Sequence, residues 1–180
     1  MIESNKYNKI LKLLSDISKL MAGVLYAITL VFFTACSSES IKNGRYYNKK
    51  HKFSIQFPEN WEKQKPGPGI VVTFGDPENT EKVSIQKQKL PAGRSLKEIT
   101  NYLKGYIANM GGRIIYESNE IIDSVDAIWF LIEFPNSGEM GLTYYFVKND
   151  FIYSILCFAD TQDFYEDKMR TIAQSFRFEE

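Results

Sequence analysis

Two stretches late in the chain are apolar on both of their alternating faces, and that pattern restricts the fold more than any other feature of the sequence. From Ala127 to Phe134, the residues Ile128, Phe130, Ile132 and Phe134 alternate with Ala127, Trp129, Leu131 and Glu133. Phe151 to Phe158 reads Phe-Ile-Tyr-Ser-Ile-Leu-Cys-Phe and has two apolar faces in the same way. Successive side chains of a strand point to opposite sides of the sheet, so these strands must be covered on both. The chain therefore has to supply a sheet with a packed layer on each face.

The covering layers are legible too. Ser95-Leu-Lys-Glu98 is a capping box, and Leu96, Ile99, Leu103, Tyr106, Ile107 and Met110 form an apolar stripe that Gly111 can terminate. A second helix is predicted from about Thr161, with Asp160 as N-cap and Met169, Ile172, Ala173 and Phe176 on one face. Three strands precede the first helix: Phe53-Ser-Ile-Gln-Phe57, closed by Pro58; Ile70 to Phe74; and the lysine-bearing Val83 to Lys89, suited to a sheet edge. Arg113 to Asp123 reads as a strand joined to the next around a turn near Ser124. Leu142 to Lys148 and Phe151 to Phe158 flank Asn149-Asp150, whose side chains tolerate the positive φ of a two-residue hairpin. The expected class is α+β, an antiparallel sheet flanked by helices.

The N-terminus follows different rules. Met21 to Ala35 is fifteen residues without a charge, the length of a signal-peptide apolar region and short for a membrane span. Lys6, Lys9, Lys12 and Lys19 precede it against Glu3 and Asp16, which orients the start of the segment to the cytoplasm. Ile10, Leu13, Leu14 and Ile17 fall at helical spacing, so one helix is expected through both parts. Phe33-Thr34-Ala35-Cys36 resembles a lipobox, with Phe at its first position, small residues at the next two, and a thiol to accept diacylglycerol. Residues 1–35 accordingly read as a lipoprotein signal peptide and Cys36 as the lipidation site. The alternatives are an uncleaved anchor and cleavage after Ser37. Two or more acyl chains hold a protein stably at a bilayer where one does not. Ser37 lacks the Asp that commonly retains a lipoprotein at the inner membrane, which fits outer-membrane sorting if the host has two membranes.

Residues 36–52 read as a polar linker, with Lys49-Lys50-His51-Lys52 able to meet anionic headgroups, and residues 53–180 as one globular domain. Of the 22 basic and 22 acidic residues, four and two fall in the first 35, leaving 18 and 20 and a net charge of −2. That balance offers no attraction for a phosphate backbone, so nucleic acid is not an expected partner. With Cys36 acylated, Cys157 has no partner for an intramolecular disulfide and reads as a small buried hydrophobe, with a reactive thiol as the alternative.

Phe53-Ser-Ile-Gln-Phe-Pro-Glu-Asn-Trp61 at the start of the domain and Ser175-Phe-Arg-Phe178 after its last helix, together with the element order, resemble the PsbP/DcrB/Mog1-like α/β/α sandwich proteins. The resemblance spans Phe53 to about Phe178. It implies a non-enzymatic domain: plant members help assemble or stabilise a photosystem, a eukaryotic branch binds a small GTPase, and bacterial members are envelope proteins, several of them lipidated. It implies no shared catalytic residues.

The residues themselves agree. His51 is the single histidine, which leaves no His/Cys zinc set, and no Gly-x-Ser-x-Gly elbow occurs. Neither a metal nor an organic cofactor is expected. Asp123, Asp126 and Glu133 could form a carboxylate pair, but the first two are suited to turns and the third to a strand end. Three functions are open at this point: a lipid-tethered binding or assembly module of the cell envelope with a protein partner; a small-molecule or lipid carrier lined by Trp129, Tyr144 or Tyr145; and a hydrolase using a carboxylate pair around Glu133.

Overall fold

The computed structural model describes residues 38–179. The expected N-terminal helix and Cys36 lie outside the described residues. Eleven strands and two α-helices follow: β1 (Glu39–Lys42), β2 (Arg45–Asn48), β3 (Phe53–Gln56), β4 (Glu62–Gln64), β5 (Ile70–Gly75), β6 (Lys82–Lys89), α1 (Leu96–Asn109), β7 (Arg113–Ile122), β8 (Val125–Phe134), β9 (Glu139–Lys148), β10 (Phe151–Asp160), α2 (Glu166–Gln174) and β11 (Arg177–Phe178). They form a seven-stranded antiparallel sheet in the order β4-β5-β6-β10-β9-β8-β7 and a four-stranded one in the order β1-β2-β3-β11.

The two-faced strands β8 and β10 lie within the large sheet, and both of its faces are covered. On one side Phe130, Ile132 and Tyr145 pack against Ile107, Leu96 and Leu103 of α1. On the other, Trp129, Tyr144, Phe146 and Cys157 share a larger core with Tyr46, Phe53 and Ile55 of the small sheet and Met169, Ile172 and Phe176 around α2. The α+β sandwich expected from the sequence is present, with the small sheet sharing the second outer layer with α2.

Four differences stand out: the lysine-bearing β6, expected at a sheet edge, lies between β5 and β10, and three others follow. The segment from Glu39 to Asn48, expected to be linker, is a hairpin turned by Asn43 and Gly44 at φ 50° and 71°. Its inward residues Tyr46 and Asn48 are 1% and 2% exposed, so Glu39 to Asn48 belongs to the domain and, among the described residues, six strands precede α1. The linker reading failed because only alternate residues of this strand are buried and one of them is Asn, which leaves the segment polar in composition. On α1 the capping box forms, and Gly111 (φ 80°) ends the helix in a Schellman motif through Gly111 N–H to Ala108 O (3.0 Å) and Gly112 N–H to Ile107 O (2.9 Å). Its inward stripe, however, includes buried Thr100 beside Leu96, Leu103 and Ile107, while Tyr106 and Met110 are 52% and 51% exposed.

The second helix starts at Glu166, and Thr161–Asp163 is a single 3₁₀ turn. Asp160 makes no side-chain cap; its N–H is taken by Thr80 Oγ1 (2.8 Å), and the Thr161 hydroxyl donates to Gly138 O (2.8 Å). Those bonds tie the start of the segment to neighbouring loops and postpone the helix. The hairpin between β9 and β10 is as expected, with Asn149 and Asp150 at φ 51° and 61°.

Candidate functional site

The residues named from sequence do not converge. Asp126 and Glu133 sit near opposite ends of β8, seven residues and roughly 24 Å apart. Glu133 is bridged to Arg113 on the neighbouring strand. Asp123, in the β7–β8 turn, accepts the Phe178 N–H at 2.7 Å and faces Arg177 Nε at 3.9 Å, which fastens β11. Tyr144 and Tyr145 are adjacent on β9 and face different cores: Trp129 and Tyr144 stack at 6.0 Å on one side of the sheet, and Tyr145 lies on the other. Cys157 is fully buried, and burial pushes its thiol well above the usual cysteine range. It is core. Among the described residues, no three His, Cys, Asp or Glu side chains gather to hold a metal, and no helix is long and apolar enough to cross a membrane.

Two surface features remain. The first is a cleft of about 510 Å³ between β7–β8 and α2, lined by Tyr116, Trp129, Leu131, Glu166 and Arg170. The Arg170 guanidinium lies 4.7 Å from the Trp129 ring centre. Glu120, at the cleft wall, accepts from Tyr144 Oη (3.1 Å), Arg170 (3.5 Å) and Gln174. Burial, and then the Glu120 charge, push the Tyr144 phenol above its ordinary range. Three donors on one carboxylate make this a fastener between α2 and the edge strand. Sequence reasoning passed over Glu120 because it is one of several polar residues in an alternating edge strand. The signal that could have found it is its parity with Ile122, which points inward.

The second is the end of the domain that carries Lys49-Lys50-His51-Lys52. These residues form the β2–β3 turn, pinned by His51 N–H to Asn48 Oδ1 (2.9 Å). Burial, followed by the charges of Lys87 and Lys50, pushes His51 below its ordinary value, so it is neutral near pH 7. Beside the turn, a cleft of about 510 Å³ is bordered by Lys52, Lys87, Lys148, Phe151, Tyr153 and Phe178. Lys87 Nζ stands 4.4 Å from the Phe151 ring centre and Lys148 Nζ 3.9 Å from that of Phe178.

No protein-family model and no curated protein matches the sequence. Solved structures do match. The chain is similar to the solution structure of cyanobacterial PsbP (CyanoP) from Synechocystis sp. PCC 6803, with a TM-score of 0.59 at 16% identity over 74% of this chain and 91% of that one. It is also similar to LpqN of Mycobacterium tuberculosis, described as involved in cell envelope biogenesis, with a TM-score of 0.58 at 12% identity over 71% and 83%. A Bacteroides thetaiotaomicron protein aligns with a TM-score of 0.50 at 15% identity over 72% of this chain and 46% of its own length. These likenesses define the class: the described region is an α+β domain. Its particular fold is the PsbP/Mog1-like one.

Proposed function

We propose that this chain is a lipid-anchored protein of the bacterial cell envelope, whose PsbP-like domain is a non-enzymatic binding or assembly module for another envelope protein. The observation that carries the reading is Phe33-Thr34-Ala35-Cys36, behind an uncharged apolar run and followed within three residues by the first strand at Glu39. A domain that begins so close to the acyl-accepting cysteine is held at the bilayer surface. The fold shared with LpqN supports an envelope role, and the scattering of Asp126, Glu133 and His51 counts against the hydrolase reading. The carrier reading loses support because Trp129, Tyr144 and Tyr145 are all buried in packed cores.

The test is crosslinking in intact cells followed by purification from membranes, beside a Cys36→Ala control. The expected result is one reproducible envelope protein recovered with the wild-type chain and reduced in the control. Repeated recovery of no partner contradicts the binding role, and acyl labelling of the control contradicts the anchor.

A further inference from the structure

We propose that the lysine-rich end of the domain is its membrane-contacting face, seated on anionic lipid headgroups of the bilayer that anchors the chain. The proposal rests on the anchored reading above and adds an orientation to it. Glu39 pairs with Asn48, and Asn48 pairs with Phe53, so the chain enters the domain beside the β2–β3 turn that carries Lys49, Lys50 and Lys52. From Cys36 to Glu39 the backbone can span at most about 10 Å. The domain end nearest the lipid is therefore the end bearing these lysines.

The large sheet adds to the same end. Lys87 Nζ donates to His51 O at 3.4 Å, and the Glu179 N–H donates to Lys52 O at 3.1 Å. Lys89 lies opposite Phe151, and Lys148 closes the β9–β10 hairpin. The lysines differ in what they face. Lys63, Lys82, Lys104 and Lys168 each bridge a carboxylate. Among the described residues, Lys49, Lys50, Lys52, Lys87, Lys89 and Lys148 bridge none; Lys87 and Lys148 lie over aromatic rings instead. Asp123 and Glu179 border the cleft, but Asp123 is occupied by the Phe178 N–H and Arg177. These six lysines outnumber the carboxylates of the same end, Asp150, Glu179 and the occupied Asp123, and on a surface held within about one Debye length of a bilayer such an excess of cations fits anionic headgroups.

The experiment reconstitutes the full chain, as isolated from membranes, into vesicles of phosphatidylcholine alone or with added phosphatidylglycerol. Lysine acetylation is then mapped by mass spectrometry, with Lys42 and Lys82, at the far ends of β1 and β6, as references. The expected result is several-fold slower labelling of Lys49, Lys50, Lys52 and Lys148 on the anionic vesicles only, with the difference removed by 1 M salt. Lys49→Glu with Lys50→Glu should restore the labelling rate of Lys52 and Lys148, since each lysine lost weakens attraction roughly fivefold. Equal labelling on both vesicle types overturns the proposal. The mass of the N-terminal peptide reads the anchor in the same sample: an unacylated peptide overturns the anchor while the labelling still reports the face. A chain that does not float with the vesicles overturns both.

Discussion

Replacing Tyr46 by Ala tests whether the segment between Cys36 and Phe53 belongs to the folded domain. Tyr46 is 1% exposed. Its ring meets Phe74 edge-on at 5.4 Å and lies 6.0 Å from Phe53, and its hydroxyl accepts from Asn48 Nδ2 at 2.8 Å. Truncating a buried large aromatic costs about 3–5 kcal/mol, since the lost transfer energy is joined by that of an unfilled cavity. Losing the edge-to-face pair and an acceptor for buried Asn48 keeps the value in that range, because Glu39 Oε1 remains 3.4 Å from the same amide. The working figure is about 4 kcal/mol, or roughly 12 °C in Tm for a domain of this size. Tyr46→Phe, which removes only the hydroxyl, should cost about 1 kcal/mol. Urea unfolding followed by tryptophan fluorescence suits the measurement, since Trp61 and Trp129 are both in the core that holds Tyr46. A fall in the urea midpoint at constant slope is expected. A solvated tether predicts a change within about 0.5 kcal/mol, and that result for Tyr46→Ala would refute the hairpin's place in the fold.

Other substitutions probe the rest of the structure. Lys168→Ala leaves the Glu81 carboxylate, 2% exposed, without its ion-pair partner; a loss of about 3 kcal/mol is expected, and a smaller one when Glu81→Gln is already in place, read by a double-mutant cycle. Gly112→Ala would bring a methyl to 2.7 Å from the Phe134 ring and 3.1 Å from Ile107 O, and should lower stability by about 1–3 kcal/mol; an unchanged Tm contradicts the close approach. Asp76 is held below the usual carboxylate range by the Glu78 N–H, with Asn79 and Lys168 adding to the effect. A depressed folded value contributes stability above the unfolded carboxylate pKa and loses it as pH falls through the folded one, so Asp76→Asn should flatten the decline in the urea midpoint on acidification below about pH 4. Parallel curves for the two chains would contradict that assignment. Cys157 should resist thiol reagents in the native state and react at the rate of unfolding; rapid native labelling would contradict its burial.

Most strands of the large sheet and both helices could be read in the sequence because their signals are local and redundant: a two-faced strand cannot be left exposed, and the capping box and Gly111 mark both ends of α1; the three exposed residues of β4 and the interior place of β6 could not. The β1–β2 hairpin was not legible. Its burial depends on β3 and on the larger core, and its inward residues, Tyr46 and Asn48, do not form an apolar run. The late start of α2 came from bonds made by Thr80 and Gly138, which no local pattern around Asp160 encodes. At the surface, Lys49-Lys50-His51-Lys52 stood out as a charge run. The contribution of Lys87 and Lys148 from other strands required the register of β6, β9 and β10. Glu120 likewise gained its meaning only when α2 brought Arg170 and Gln174 to it.

In the function proposed above, lipid on Cys36 holds this domain at a membrane. Mass spectrometry of the N-terminal peptide of the protein purified from membranes tests it most directly. The expected peptide begins at Cys36 and carries the mass of a thioether-linked diacylglycerol. A peptide that begins at Met1, or at Ser38 without lipid, would contradict it.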